Sequence, residues 1–291
     1  METVRPCGCK GIRTCLICEN EYSISKPDLA ADLKKCPNYV YCPECNKAWP
    51  GWDMNLYKQH PRHSGVPIEF PGTYIKLDFL NQDELKSLVN SLDLLPWEIS
   101  QSGRRKQNFG PKTNFKKKRL RMGNFIGFPE STKFVQDKFN DVKELKNFQT
   151  IEQCSLEYDS QRGASIDPHI DDCWIWGERI VTVNILGDSV LTMTPYRGSS
   201  NKYNLDCVES LQNQAAPEQN IVVRLPMPEG SLMVLYGAAR YSWEHAVLRE
   251  DINSRRICLA YREFTPPYLP DDKGDCNEES REILERALNF W

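Results

Sequence analysis

Three residues constrain this chain more than any other feature: His169 and Asp171, separated by Ile170, and the distant His245. In a strand, residues i and i+2 point to the same face. Segment 165–171 reads as the mouth of a strand, so His169 and Asp171 share a face and can approach one metal ion together. A single strand cannot close a facial arrangement, so the third ligand must arrive on another. Segment 241–247 reads as that second strand, with 232–237 as its hairpin partner. Two imidazoles and one carboxylate are the ligand set that holds non-haem Fe(II) and leaves positions open for a co-substrate and O₂. Arg256 stands eleven residues past His245, placed to neutralise a dicarboxylate that chelates the iron, and Arg262 follows. His-x-Asp alone is a weak signal, because a histidine beside an aspartate is usually a solvated pair. The weight comes from the conjunction, which points to an oxidative enzyme using 2-oxoglutarate.

Several segments carry a resemblance. Asp167-Pro168-His169-Ile170-Asp171 is similar to the first metal motif of the AlkB-type Fe(II)/2-oxoglutarate dioxygenases, and 178–186 to the strand that follows it. Segment 230–237, then Arg240-Tyr241 and Trp243-Glu244-His245, resembles their second metal segment. Arg256 and Arg262 match the two arginines of the Arg-x-Asn-x-Thr-x-Arg signature, whose Asn and Thr are Cys258 and Ala260 here. Tyr158 matches the tyrosine that bonds the co-substrate, and the Asn two residues earlier is Leu156. Segments 7–18, 100–107 and 174–179 resemble the AlkB homologue 4 branch of that family. The resemblance covers most of the chain and is weakest at 20–70 and 191–225.

The resemblance implies oxidative N-demethylation with Fe(II), 2-oxoglutarate and O₂, yielding formaldehyde, succinate and CO₂. Arg256 would pair with the far carboxylate of 2-oxoglutarate, and Tyr158 and Arg262 would complete its site. The implied substrate is a methylated lysine in protein, with actin or an actomyosin partner as the family's example, and also N6-methyladenine in DNA. The departures at Cys258 and Ala260 warn against assuming nucleic-acid repair. The alternative is a zinc-containing nucleic-acid-binding protein, or an actomyosin or chromatin interaction protein, with little catalytic activity.

Cysteine usage bounds the compartment. No apolar run approaches the ~20 residues of a membrane span, and no signal-peptide pattern opens the chain, so a cytoplasmic and nuclear location without a membrane is expected. There, twelve cysteines are thiols and metal ligands more readily than disulfides. Cys15-x2-Cys18 and Cys42-x2-Cys45 form two knuckles at slightly long zinc-ribbon spacing. An alternative set joins Cys7 or Cys9 to Cys15, Cys18 and Cys42. Either way, structural Zn(II) would supply folding energy that a short segment lacks. His60 and His63 could add ligands, but they read more readily as part of a solvated loop.

The expected organisation is a zinc module at 1–45, a linker at 46–70 and a dioxygenase domain at 71–291. Segment 73–78 reads as a strand. Asn81-x-x-Glu84 resembles a capping box, ahead of a helical stripe of Leu85, Leu88, Val89 and Leu92. A second helix is expected around 134–142. A last one is expected over 278–291, with Ile283, Leu284, Ala287 and Leu288 facing in. Successive short strands from 151 to 264 complete an α+β fold, a double-stranded β-helix or jelly roll with flanking helices. Segment 191–220 reads as a surface insertion. Nine basic residues and no acid fall within 101–121. Arg104, Arg105, Lys106, Lys116, Lys117 and Lys118 are its candidates for substrate contact, suited to nucleic acid or an acidic protein surface. Trp174 and Trp176 are candidates for an aromatic wall around a methylated cation.

Overall fold

Eight strands between Glu152 and Phe264 divide equally between two sheets in the computed structural model, which describes residues 5–208, 220–271 and 273–291. The major sheet runs, edge to edge, Thr73–Lys76, Leu232–Leu235, Trp176–Leu186, Arg256–Phe264, Glu152–Tyr158, Arg104–Phe109 and Glu98–Ile99. The minor sheet runs Ile166–His169, Trp243–Val247, Ser189–Pro195, Val222–Met227, Asn38–Cys42, Lys47–Pro50 and Ile68–Glu69. Neighbours are antiparallel except Asn38–Cys42, which lies parallel to Val222–Met227. This is the double-stranded β-helix expected from the sequence.

Strand alternation builds two cores. Trp176, Ile180 and Met233 of the major sheet share one buried cluster with Met193, Val223 and Leu225 of the minor sheet. The intervening residues Val181, Val183 and Val234 belong to a second cluster, covered by Leu85, Leu88 and Leu92 of helix Gln82–Asp93. Each buried leucine contributes about 1.5–3 kcal/mol. The expected capping box opens that helix: the Glu84 amide donates to Asn81 Oδ1 (3.0 Å), and the Asn81 amide to Glu84 Oε2 (2.9 Å).

Several expectations are corrected. Leu232–Leu235 is not the hairpin partner of the His245 strand. It lies in the other sheet, and the short helix Gly237–Tyr241 carries the chain across. Segment 46–70 supplies two strands to the minor sheet, because the hairpin from Asn38 to Pro50 extends that sheet instead of standing apart. Within 191–220, the strand Ser189–Pro195 is mostly buried, turns follow to 208, and 209–219 lie outside the described residues. The second helix shrinks to Lys133–Asp137, followed by a 3-10 turn. The last helix ends at Arg286, so Leu288 is 70% exposed, while Ile283, Leu284 and Ala287 are buried. Beyond it the chain straightens, and the Trp291 amide donates to the Phe128 carbonyl at 3.0 Å.

Candidate metal centre

His169 ends the strand Ile166–His169, and its cross-strand partner is His245. Their rings sit 4.2 Å apart between centroids. Asp171 follows two residues past the strand end. One ligand atom from each of the three lies within 4.8 Å of the others. His169 Nδ1 donates to the Asp167 carbonyl at 2.9 Å, which leaves the lone pair of Nε2 free to ligate a metal, 3.9 Å from Asp171 Oδ1. Such an outer hydrogen bond fixes the tautomer a metal ligand needs.

The electrostatics suit a cation. Burial lowers both histidine pKa values, that of His245 to about 3, with the His169 ring adding to the effect there. Burial also pushes against ionisation of Asp171. Arg262, His245, His169 and Arg240 outweigh it and hold the carboxyl well below its usual range. Neutral imidazoles beside an ionised carboxylate are the protonation states that ligate a metal.

Arg262 grips the carboxylate with Nε and Nη2 at 3.1 and 3.2 Å and turns Nη1 to Glu152 at 2.6 Å. Arg240, also buried, donates to the carbonyls of Asp171, Trp176 and Gly177 and so pins the loop that carries Asp171. Neither Arg240 nor Glu152 was identified as a site residue from the sequence. Arg240 stands inside the second metal segment, which is the signal that marked its neighbourhood.

Arg256 lies six residues before Arg262 on the same strand, hence on the same face. It is 1% exposed. Its Nε donates to Asn184 Oδ1 at 2.9 Å and its Nη2 to Met227 Sδ at 3.7 Å, while Nη1 is buried with no partner. No carboxylate among the described residues pairs with it. The guanidinium sits 4.6 Å from the ring centroid of Tyr158, its cross-strand partner. Burial raises the Tyr158 hydroxyl pKa and keeps it a donor. A desolvated cation with an open nitrogen is costly alone and matches a carboxylate in planar geometry. Between the two arginines, Cys258 faces Leu156 and Ala260 faces Cys154 across the ladder, leaving an apolar wall.

The basic segment divides. Arg104 is 7% exposed on a major-sheet strand opposite Tyr158, so it is not a surface contact. Arg105 pairs with Glu157, which also takes Arg255, and Lys106 lies 3.9 Å from Glu98. Lys116, Lys117 and Lys118 are exposed at the tip of a separate hairpin formed by Lys112–Asn114 and Arg119–Arg121. Burial raises the pKa of Asp172, next to Asp171, and the Asn204 side chain, the Trp174 amide and the nearby charge of Lys118 only partly offset it. Trp174 and Trp176 are buried in the main core, so they form no exposed wall: Trp174 lies in the turn before the strand and Trp176 is its first residue.

Cys7, Cys9, Cys15 and Cys18 bring four sulphurs together, within 4.8 Å of one another. Neither zinc set read from the sequence forms: Cys42 and Cys45 sit apart, on the minor-sheet hairpin, and Cys36 joins neither group. The segment around the four thiols docks beside the metal strand. Arg162 donates to the Cys7 carbonyl, Arg249 pairs with Glu19, and Lys26 lies 3.3 Å from Asp167.

The chain is 38% identical to the mouse protein "Alpha-ketoglutarate-dependent dioxygenase alkB homolog 4", over 99% of this chain and 95% of that protein. The human protein of the same name is also 38% identical, over 99% and 95%. A Caenorhabditis elegans protein named "DNA N6-methyl adenine demethylase" is 34% identical, over 98% and 94%. A solved 2OG-Fe(II) oxygenase-family structure from Burkholderia pseudomallei aligns at TM-score 0.43 and 13% identity, over 66% of this chain and 83% of that one. No protein-family model matches the chain.

Proposed function

The chain belongs to the AlkB-type alpha-ketoglutarate-dependent dioxygenases, and on that premise we propose that it is an oxidative N-demethylase whose iron ligands are His169, Asp171 and His245. The observation that carries this reading is the single strand face joining two anchors. Arg262 holds the triad carboxylate at one end, and Arg256 offers an unpartnered buried Nη1 at the other. Bound there, Fe(II) with 2-oxoglutarate and O₂ supplies the oxidising power that hydroxylates an N-methyl group, which then leaves as formaldehyde, with succinate and CO₂ as co-products.

The protein's own residues bind, orient and shield. Arg256 receives the distal carboxylate of 2-oxoglutarate, and Tyr158 supports it. Arg240 and Arg262 fix the angle of Asp171. Leu156, Cys258 and Ala260 keep water from the middle of the co-substrate. A binding protein with a silent centre would have no reason to bury an unpaired guanidinium, so the non-catalytic alternative is disfavoured. The thiols of Cys7, Cys9, Cys15 and Cys18 hold structural Zn(II), a closed four-sulphur set typical of such sites.

Two observations support N6-methyladenine in DNA as the substrate: the exposed Lys116–Lys118 tip near Asp172, and likeness to the worm protein of that name. Methylated lysine in an actin-like protein is the second reading, and it rests on the resemblance of segments 7–18, 100–107 and 174–179 to the AlkB homologue 4 branch. The test measures formaldehyde and succinate from purified protein given Fe(II), 2-oxoglutarate and either N6-methyladenine DNA or methyl-lysine actin peptides. One substrate should raise formaldehyde well above the substrate-free level. Succinate without substrate-dependent formaldehyde in both arms overturns the demethylase reading.

A further inference from the structure

The chain has four histidines, and only two of them belong to the triad. The other two, His60 and His63, meet Cys42 and Cys45, with one donor atom from each within 4.8 Å of the rest. We propose that these four residues bind a second, structural Zn(II), separate from the four-thiol cluster, and that it clasps the outer strands of the minor sheet.

The donor set is two thiolates and two imidazoles, which selects zinc among the common divalent ions. Bonds of about 2.3 Å to sulphur and 2.0 Å to nitrogen fit a cluster of this size after small side-chain rotations. Cys42-Pro43-Glu44-Cys45 closes the hairpin between Asn38–Cys42 and Lys47–Pro50. Asn46 turns left-handed at φ 56° and its amide donates to the Cys42 carbonyl at 2.9 Å, which folds the loop tightly around the two sulphurs. Trp49 Nε1 donates to Cys45 Sγ at 3.3 Å, an outer hydrogen bond that favours a thiolate ligand.

His63 is the second, independent sign. Both its ring nitrogens are buried, and neither makes a hydrogen bond. Trp49 stacks on the ring at 4.7 Å and holds it in place. A half-buried ring whose two nitrogens are both shielded and unsatisfied is unfavourable, and coordination by one nitrogen removes much of that cost. The fourteen residues between Cys45 and His60 lie within the spacing of Cys₂His₂ sites, although the His pair is one residue closer than usual. The local core is small, with Val40, Cys42 and Tyr57 as its buried members. A core of that size gains most from a metal clasp.

The site bears on the catalytic sheet by position. Asn38–Cys42 pairs with Val222–Met227, whose other neighbour pairs with the His245 strand. Fastening the hairpin closes an edge that would otherwise fray.

The test counts zinc in full-length protein by mass spectrometry, in a His245→Ala background so that zinc in the triad does not contribute. The readout is the difference on adding His60→Ala and His63→Ala, which does not depend on what the four-thiol cluster binds. One zinc per chain should be lost. Cobalt(II) reconstitution gives a second readout: the same pair of substitutions should remove the visible absorption of one tetrahedral site. Because His60 is exposed, His60→Ala alone keeps the test open if the double variant fails to fold, and it should weaken retention of that zinc against a chelator at least tenfold. Equal zinc content and chelator resistance with and without His60 and His63, or an unchanged cobalt spectrum, overturn the proposal.

Discussion

Arg256→Met separates the cost of Arg256 in the free protein from its value to the co-substrate. The substitution keeps length and volume and removes the charge. In the free protein Arg256 donates to Asn184 and Met227, lies over the Tyr158 ring, and leaves Nη1 open. Replacing a poorly paired buried cation with an apolar chain is often neutral or stabilising, so the melting temperature without co-substrate should not fall appreciably. With co-substrate the sign reverses. Losing one partner of a desolvated charge pair costs about 2–5 kcal/mol, which is at least thirtyfold in affinity at about 1.4 kcal/mol per decade. At 2-oxoglutarate set to about 100 times the wild-type Kd, binding stabilises wild type by about 2.7 kcal/mol. At the same concentration the variant retains about 0.9 kcal/mol or less. At about 2–4 °C per kcal/mol, the co-substrate shift should shrink from roughly 5–11 °C to under about 4 °C. The assay is anaerobic thermal unfolding with Fe(II), with and without 2-oxoglutarate. A variant whose co-substrate shift equals wild type, or a larger loss of that shift in Arg262→Met, refutes the assignment of Arg256.

Asp171→Ala should abolish 2-oxoglutarate turnover, measured as succinate, because two protein ligands hold Fe(II) poorly and Arg262 loses its bidentate partner; retention of most activity sinks the triad. Changing Lys116, Lys117 and Lys118 to Glu should leave substrate-free succinate formation intact while lowering demethylation and its salt sensitivity; an unchanged rate at low salt makes the hairpin tip a solvated face. Glu157 tests the outer ion pairs. Burial opposes its ionisation, yet Arg105 and Arg255 outweigh burial and lower its pKa. That stabilisation is present above the ordinary value of 4.5 and is lost as pH falls through the depressed folded value. Glu157→Gln should therefore destabilise at neutral pH by about 1–3 kcal/mol, and the gap to wild type in urea unfolding should close as the solution is acidified below 4.5.

The legible parts of this molecule were those with short periods or close spacing. His169 and Asp171, the helix after Asn81 and the arginine pair on one strand all follow from residues a few positions apart. The rest depends on which strands meet. The sequence pattern marks 232–235 as a strand but not its sheet, because the helix that switches sheets is five residues long. Two Cys-x2-Cys knuckles look like one ribbon until the first turns to Cys7 and Cys9 and the second into the minor-sheet hairpin. Arg104 and the exposed lysines look alike in a basic run, and only pairing with Tyr158 buries the first. Glu152, Arg240 and Asn184 escaped because each acts through a partner 110, 69 or 72 residues away.

The apolar wall between the arginines links the fold to the size of the predicted effect. In this strand the two positions between Arg256 and Arg262 on the inner face are Cys258 and Ala260, opposite Leu156 and Cys154. Neither pair offers a strong hydrogen bond to the middle of a bound dicarboxylate. Orientation then rests on the charged ends, and the wall removes water that would screen them. An interaction between charges strengthens as the effective dielectric falls. Restoring polarity with Cys258→Asn should therefore add a hydrogen-bonding group and also admit water beside Arg256. If desolvation dominates, 2-oxoglutarate KM rises in Cys258→Asn even though a donor was gained. A lower KM in that variant shows instead that the missing polar contact, and not the dry wall, limits co-substrate binding.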